Sequence, residues 1–367
     1  MRQVLVAMVA LHGLIHLVGF QKAFEIAGIS AFSQPVSPAY GVLWLAAAIL
    51  LVGFAMGMVA WPATGWKLGA LGVIASQIAI FGAWQDTWFG TISNVVILGL
   101  VIIEAGTWGP SGLWARYQRE AAETLARARA LPPLPPLTEA DLESLPPPVA
   151  RYLRVAGWVG KPRTRWYDVS FSGRIRGAAS EPWMDFLAEQ QSFADTPMRL
   201  FLMSATMKGL PVHVFHRFAD GHATFEVVVA GLVKIVDARG PDLDQAETVT
   251  LFNDMCLLAP STLLSPSVTF SEIEERSVRA TFEHAGKKAS ARLTFAEDGM
   301  LADFVSEDRL RASRDGKSFT KQRFSTPVHE TKSFGPIRSI ARADARWHPS
   351  EGELTYGEFE VLDLEQG

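Results

Sequence analysis

Two histidines near the start of the chain have a spacing that could support chemistry. His12 and His16 are four residues apart, so on a helix they share one face. Inside a membrane such a pair could bind haem, a metal or a quinone, or it could handle protons. The same side chains could instead form hydrogen bonds that specify helix packing. The sequence leaves these alternatives open. Further polar residues in or near the neighbouring apolar segments are Gln77, Gln85, Asp86, Asn94 and Glu104.

Carboxylates in the second half of the chain are the other chemical candidates. Glu247 and Asp254 lie on a predicted helix, and Arg309 and Arg323 follow in later segments. We expect ion pairs between these groups at the rim of a cavity, where they would lock the helix to its neighbours. In the alternative, Glu247 is a general base whose pKa is raised by an apolar cavity, as a hydrolase would use. No catalytic partner can be identified.

Familiar nucleophile and cofactor motifs are absent. The sequence has no G-x-S-x-G, Walker-type, G-x-G-x-x-G or H-E-x-x-H motif. The single cysteine, Cys256, is flanked by apolar residues and is expected to be an inert buried thiol. His213 and His216 have opposite strand parity, which predicts surface or edge histidines and no metal site. An enzyme is therefore the less favoured class.

The elements that hold the two histidines are apolar segments that fill the first 110 residues. Each is close to the ~20 residues that cross a hydrocarbon core of ~30 Å, and tryptophans lie at or near their ends, as at a lipid–water boundary. They predict a four-helix transmembrane domain over residues 1–110. The segments are 4–20, 40–61, 68–84 and 91–108.

Charges in the short loops predict the orientation. With four spans, the N-terminus, the second loop and the C-terminal region share one face. That face carries Arg2, Lys67, Arg116, Arg119, Arg127 and Arg129, whereas the opposite face carries only Lys22. We expect the spans to lie in the inner (plasma) membrane, and the positive-inside bias predicts that the soluble region is cytoplasmic. A re-entrant span would reverse this orientation.

A helix and a proline-rich spacer follow the spans. Residues 111–130 are rich in helix formers and place Glu123 four residues before Arg127, which predicts a juxtamembrane helix. Residues 131–148 form a linker, because the run LPPLPPL cannot be helical. Thr138 and Asp141 resemble a capping box that starts a short helix within it.

From residue 149 to residue 367 the chain predicts an antiparallel β-rich soluble domain. Apolar and polar residues alternate from 167 to 175, and similar runs recur with Asp-Gly turn signals at 220–221, 298–299 and 315–316. Residues 241–259 interrupt this pattern with apolar residues at helical spacing. The predicted fold is a transmembrane four-helix bundle plus a curved antiparallel sheet, or half-barrel, whose one crossing helix encloses an apolar space.

Several stretches carry a resemblance to a known family. They are MKGLPVHVFHRF at 207–218, residues 240–260 and 278–295, DFVSEDR at 303–309, and the opening LHGLIHLVGF. With the four spans, they resemble a bacterial domain-of-unknown-function family, DUF6544. The resemblance implies no activity and no catalytic residues. In architecture alone, the β-domain is similar to lipoprotein-carrier half-barrels, and the bundle is loosely similar to small quinone-associated membrane proteins of the DoxX kind.

Three function hypotheses follow. In the first, the β-domain binds a lipid or other hydrophobic small molecule that the adjacent bilayer supplies. In the alternative, the bundle handles electrons or protons through His12 and His16, with haem or quinone as the cofactor and the β-domain as a partner-binding module. The third is a hydrolase that uses the carboxylates. Nucleic acid is not an expected partner, because the sequence has no polybasic block and no stripe of arginine and aromatic residues.

Overall fold

The computed structural model describes residues 2–26 and 32–367, which form two compact units. The first unit comprises the chain up to Arg116 together with Lys208–Pro211 and Val229–Val233. The second comprises Tyr117–Met207, Val212–Val228 and Lys234–Gly367.

The described part of the first unit up to Arg116 is mainly helical. Four stretches are long and apolar enough to cross a membrane, namely Arg2–Ala23, Pro38–Ala60, Pro62–Gly82 and Gly90–Arg129. They confirm the four predicted spans. The helices of this unit are α1 (Arg2–Ile15), α2 (Leu17–Ala23), α3 (Pro38–Ala60), α4 (Pro62–Gly82), α5 (Trp84–Thr87) and α6 (Gly90–Trp108).

Contacts at the two ends of the bundle show that the spans alternate in direction. Arg2 donates to the Met58 carbonyl at 2.6 Å and pairs with Glu104 at 3.4 Å. The start of α1 and the ends of α3 and α6 therefore lie on one face. On the opposite face, the Ser33 backbone N–H donates to Asp86 at 2.9 Å. The bundle thus begins and ends on the same side, as the predicted topology requires.

A glycine pair allows α3 and α4 to pack closely. Only Trp61 separates the two helices in sequence. A Cβ atom added to Gly65 would lie 2.8 Å from the Gly57 Cα atom. Because a methyl group does not fit there, both positions need a residue without a side chain, as is common where membrane helices touch.

The segment between the bundle and the sheet follows the predicted pattern. It contains α7 (Leu113–Arg129), α8 (Glu139–Leu142) and α9 (Pro147–Val155). Glu123 and Arg127 pair at 3.8 Å on α7, and Thr138 and Asp141 form a capping box at the start of α8. The proline run between α7 and α8 is not helical. These details confirm the local predictions for this stretch.

The second unit is built on one 14-stranded antiparallel sheet that curls into a half-barrel, with β14 pairing β15 beside the main strand path. It confirms the predicted fold class. A separate hairpin is formed by β11 and β12. The strands are β1 (Trp166–Ile175), β2 (Met184–Phe193), β3 (Met198–Met207), β4 (Leu210–Ala219), β5 (His222–Val229), β6 (Val233–Arg239), β7 (Val268–Ser271), β8 (Ser277–His284), β9 (Lys287–Phe295), β10 (Leu301–Ser306), β11 (Leu310–Ala312), β12 (Phe319–Lys321), β13 (Phe324–Ser325), β14 (Val328–Phe334), β15 (Ile337–Trp347) and β16 (Leu354–Gln366).

Strand order follows the chain over much of the sheet, and two strands, β11 and β14, were not predicted from the sequence. Consecutive strands are neighbours from β6 back to β1, and β1 pairs with β16, which closes the middle of the sheet. Strand β14 was not predicted. Its sequence, VHETKSF, is half-buried or exposed throughout, so it lacks the alternation that marks a strand with one buried face. Pairing with β15 alone makes it a strand.

The crossing helix, α10 (Pro241–Leu258), contacts β9, β10, β11 and β15. Its bounds match the predicted ones closely, but its surroundings differ from the prediction. Fifteen of its 18 residues are buried, including Asp244, Glu247 and Asp254. The helix is therefore enclosed on nearly all sides, whereas the apolar spacing predicted an amphipathic helix with one buried face. A 3-10 turn, Pro260–Leu264, follows it.

Candidate functional sites

The first site is a buried charged cluster formed by Arg199, Glu247, Asp254, Gln190 and His216. Arg199, on β3, donates from Nε to Asp254 Oδ2 at 2.7 Å. Its Nη1 atom lies 3.4 Å from Glu247 Oε2. All three residues are buried. One guanidinium thus joins two carboxylates of α10, which fixes the helix against β3.

Two more side chains complete the charged cluster. Gln190 on β2 donates from Nε2 to Asp254 Oδ2 at 2.9 Å. His216 on β4 places Nδ1 3.2 Å from Glu247 Oε1, and its ring lies 4.1 Å from that of Phe225. Since the His216 side chain is 26% exposed, it is the member of the cluster that reaches solvent.

The pKa of Glu247 is shifted downward, in the opposite direction from that expected of a general base in an apolar cavity. Burial by itself would raise the pKa of this carboxyl. The charge of His216, its hydrogen bond, and the charges of Arg199 and Arg309 outweigh burial and lower the pKa to about 2. Such a carboxylate holds no proton at neutral pH and is a weak acceptor of one, so the geometry favours a structural ion pair.

The structure corrects the predicted arginine partners. Arg309 lies over Phe324, with its guanidinium carbon 3.9 Å from the ring centroid, and it reaches Glu247 only through its charge. Arg323 pairs with Glu307 at 3.6 Å, where both side chains are exposed. Arg199 takes their place. The signal that could have identified it is a charged residue within MRLFLM, a run that is buried throughout and so needs a buried partner.

The structure also shows the surroundings of two other candidates from this unit, His213 and Cys256. His213 is buried, and burial lowers its pKa to about 4, so it is not the surface histidine that strand parity suggested. Residues 212–215 of β4 are all buried, because both faces of the strand are covered there. Cys256 is fully buried and unpaired, and burial raises its pKa further above the usual range, as expected of an inert thiol.

The second site is an uncharged polar cluster in the bundle, formed by His12, His16, Ser76, Asn94 and Gln77. His12 Nε2 lies 3.1 Å from Asn94 Oδ1. His16 Nε2 lies 2.7 Å from Ser76 Oγ, and His16 Nδ1 lies 2.8 Å from the His12 carbonyl. The cluster therefore links α1 to α4 and α6.

A short chain of amides extends this polar cluster. Asn94 Nδ2 lies 3.0 Å from Gln77 Oε1, and Gln77 Nε2 lies 3.1 Å from Thr91 Oγ1. The remaining polar candidates lie elsewhere, since Gln85 is exposed, Asp86 accepts from Ser33 and Glu104 pairs with Arg2. Ser76 was missed in the sequence. Its signal was a hydroxyl inside an apolar span, next to Gln77.

The bonds of the polar cluster bear on the haem and metal alternatives. Both ring nitrogens of His16 are engaged, so axial ligation of haem by His16 would require one of these bonds to break. Within residues 2–26 and 32–367, no group of three or more histidine, cysteine, aspartate or glutamate side chains is placed to hold a metal ion.

The third site is a groove of about 320 Å³ in the second unit. It lies between the turn after α9, the turn from β14 to β15 and the end of β16. Gly157 shapes one wall, because its φ is +84° and an added Cβ would lie 2.8 Å from the Pro336 carbonyl. The lining residues are Trp158, Lys161, Pro162, Thr164, Phe334, Gly335, Pro336, Ile337, Leu364, Glu365, Gln366 and Gly367.

Within the described chain, two side chains of the groove carry polar groups that lack a partner of their own. Trp158 is 2% exposed, and its indole N–H has no hydrogen-bond partner among the described residues. Across residues 2–26 and 32–367, no carboxylate pairs with the Lys161 ammonium, whereas Glu365 pairs with Arg129 at 3.1 Å. The groove thus combines apolar walls with an unused buried donor and an uncompensated cation. No sequence motif marked it, because its walls come from three distant segments.

Comparisons with known proteins place the chain by family alone. No curated protein matches it. It is similar to a putative outer membrane lipoprotein-sorting protein domain from Vibrio parahaemolyticus, at 10% identity, with 55% of this chain and 85% of that chain covered and a TM-score of 0.33. A DUF1329 family protein from Desulfovibrio piger is similar at 10% identity, covering 62% and 92%, also with a TM-score of 0.33.

Neither likeness carries a functional conclusion at this identity and overlap. The family model gives the stronger result, since it matches residues 135–359, which is more than half of the chain. This agrees with the resemblance found in the sequence, and the chain belongs to the family of unknown function DUF6544.

Proposed function

We propose that this protein is a membrane-anchored binding protein whose β-domain holds an anionic amphiphile, such as a fatty acid or a lipid phosphate, in the groove at Trp158 and Lys161. The observation that carries the proposal is the buried indole N–H of Trp158, which has no partner among the described residues. A buried donor left without an acceptor is costly, so a ligand that supplies the acceptor is favoured.

The composition of the groove supports this ligand class. Phe334, Ile337 and Leu364 offer apolar surface for a hydrocarbon chain. The Lys161 ammonium and the Trp158 N–H together suit a head group that is both negatively charged and a hydrogen-bond acceptor. A volume of about 320 Å³ is at the small end of known ligand pockets and fits part of one chain with its head group.

In this proposal, the membrane spans keep the β-domain close to the bilayer that contains its ligand. A bilayer concentrates amphiphiles, and a domain tethered by the short proline-rich spacer samples that bilayer surface. Since Arg2 lies on the face where the bundle ends, we further propose a cytoplasmic position for the domain, by the positive-inside bias. Protease added to intact cells should then leave the spacer uncut, whereas cleavage there from outside would reverse the orientation.

Photolabelling tests the ligand proposal directly. Full-length protein in lipid nanodiscs is illuminated with a photoactivatable fatty acid, and the labelled peptides are identified by mass spectrometry. We expect labelling of residues 158–164 and 334–337. The same probe with an alcohol in place of the carboxylate should label these peptides several-fold less, because Lys161 then has no anion to bind.

Matched variants separate binding from unspecific contact with lipid. Lys161→Ala and Trp158→Phe should each reduce groove labelling several-fold. Lys317→Ala removes an exposed lysine outside the groove and should leave labelling unchanged. Labelling confined to the spans, or equal in all three variants, would contradict the proposal.

A further inference from the structure

In the observed amide orientation, the hydrogen bonds of the polar cluster do not fit a neutral set of donors and acceptors. The His12 carbonyl can only accept, so His16 Nδ1, at 2.8 Å, carries a hydrogen and donates it. Asn94 Oδ1 likewise can only accept, so His12 Nε2, at 3.1 Å, carries a hydrogen in this orientation of the amide.

The Ser76 hydroxyl lies beside two possible acceptors but has only one hydrogen to donate. Its Oγ atom lies 2.7 Å from His16 Nε2 and 2.9 Å from Asn94 Oδ1. If the hydroxyl donates to Asn94, His16 Nε2 must bring its own hydrogen, which makes His16 a doubly protonated cation. If His16 is neutral, the hydroxyl donates to it, and the two oxygens of Ser76 and Asn94 face each other without a hydrogen between them.

A neutral cluster can nevertheless complete its bonds if both amides rotate by half a turn. Asn94 would then donate to Ser76 Oγ and to His12 Nε2, and its oxygen would accept from Gln77. The Gln77 oxygen would in turn accept from Thr91. Such a reversal exchanges atoms of nearly the same size, so it needs no repacking of the helices.

We propose that the polar cluster is a proton-binding site with two complete hydrogen-bond arrangements, in which one proton bound at His16 is coupled to reversal of the Asn94 and Gln77 amides and to a shift of the His12 hydrogen from Nδ1 to Nε2. The proton comes from water and binds the Nε2 lone pair, and the cluster gains one positive charge. Thr91 and Gln77 are half-buried while Ser76, Asn94 and His16 are buried, so the chain of bonds begins at Thr91 and ends at His16. Entry is therefore from the first turn of α6, on the face opposite the bundle termini.

In the part of the chain that the structure describes, the charged side chains of the bundle are not hydrogen-bonded to the two histidines. Every side chain bonded to His12 or His16 is uncharged, and the Trp44 ring covers His16 with centroids 5.1 Å apart. Arg2 and Glu104 pair with each other ten residues from Asn94 along α6, about 15 Å away. The other ionisable groups of α1 to α6 are Lys22, Tyr40, Lys67 and Asp86.

Nuclear magnetic resonance of the full-length protein in bilayers tests the proposal. With ¹⁵N-labelled histidine, glutamine and asparagine, His16 is assigned by comparison with His16→Gln. Between about pH 8 and about pH 3, we expect the neutral His16 signal to be replaced by that of a doubly protonated ring. The side-chain amide signals of Asn94 and Gln77 should move with the same midpoint.

Ser76→Ala provides the uncoupling control, because it removes the hydroxyl between His16 and Asn94 with little change in volume. In that variant the amide signals should no longer follow His16. The proposal is overturned if His16 keeps one charge state throughout, or if His16 titrates while the wild-type amides stay fixed. Neither result affects the groove, which lies in the other unit and is tested by photolabelling.

Discussion

The two polar clusters solve the same problem, buried hydrogen-bonding groups, with different chemistry. The charged cluster of the β-domain uses one arginine and two carboxylates, while the polar cluster of the bundle uses imidazole, hydroxyl and amide groups. A charged group within the bilayer has no water around it even when the helices separate. The charged groups of the β-domain lose their water only when that domain folds. The bundle thus buries groups that can be neutral and take up a charge only by binding a proton, whereas the β-domain buries groups that are charged at neutral pH.

Removing the central cation should have the largest effect. Arg199→Met leaves Glu247 and Asp254 buried without their partner, which should cost about 3–5 kcal/mol of unfolding free energy. Thermal unfolding of the full-length protein in detergent, followed by the β-sheet infrared band, measures it.

Arg323→Ala is the matched control for this variant. It breaks only an exposed pair and should cost no more than about 0.5 kcal/mol. Equal losses in the two variants would show that the charged cluster is not special, and the contrast between the two regions would then be lost.

Acid should weaken the charged cluster next. The pKa of Glu247 is about 2 in the folded state and 4.5 in its ordinary state. Because the folded value is the lower one, the stabilisation is complete above about pH 4.5 and is lost as the pH falls toward about 2, a total of about 3 kcal/mol. Unfolding midpoints measured across this range should drop more in the wild type than in Glu247→Gln. Parallel curves would contradict the assignment.

The bundle should respond less to a comparable deletion. Asn94→Leu removes the amide that joins His12, Ser76 and Gln77, and we expect a loss of about 1–2 kcal/mol. The loss is smaller than that of Arg199→Met because the remaining groups are neutral and find other partners. Helix unfolding in mixed micelles measures it, with Gln85→Leu at an exposed position as control. A loss above that of Arg199→Met would invert the comparison.

An exposed pair sets the lower limit of the series. Glu123 and Arg127 pair at 3.8 Å with both side chains mostly exposed. Glu123→Ala should therefore change stability by less than about 0.5 kcal/mol. The same infrared measurement applies, and a loss above about 1 kcal/mol would mean that α7 has a charge contact beyond this pair.

Much of the fold could be predicted because its signals are local. Span length, the alternation in β1, the capping box at Thr138 and the bounds of α10 each depend on neighbouring residues. Strand β14 escaped prediction because its partner strand, rather than its own pattern, makes it a strand.

The sites were predictable only in part. Glu247 and Asp254 were identified as a pair on one helix, and His12 and His16 as a pair on one face. Their partners Arg199 and Ser76 were missed, since each lies more than 45 residues away in sequence. The groove at Trp158 gave no signal at all.

What the sequence alone determined is the division into a membrane bundle and a β-domain, because hydrophobic length and period are properties of contiguous residues. The tertiary structure decided which polar groups meet. Partner choice depends on strand order and on helix packing, and these bring together residues whose separation in the chain carries no information about their distance in space. For this physical reason the sequence identified Glu247 and Asp254 but not Arg199. It likewise identified His12 and His16 but not Ser76.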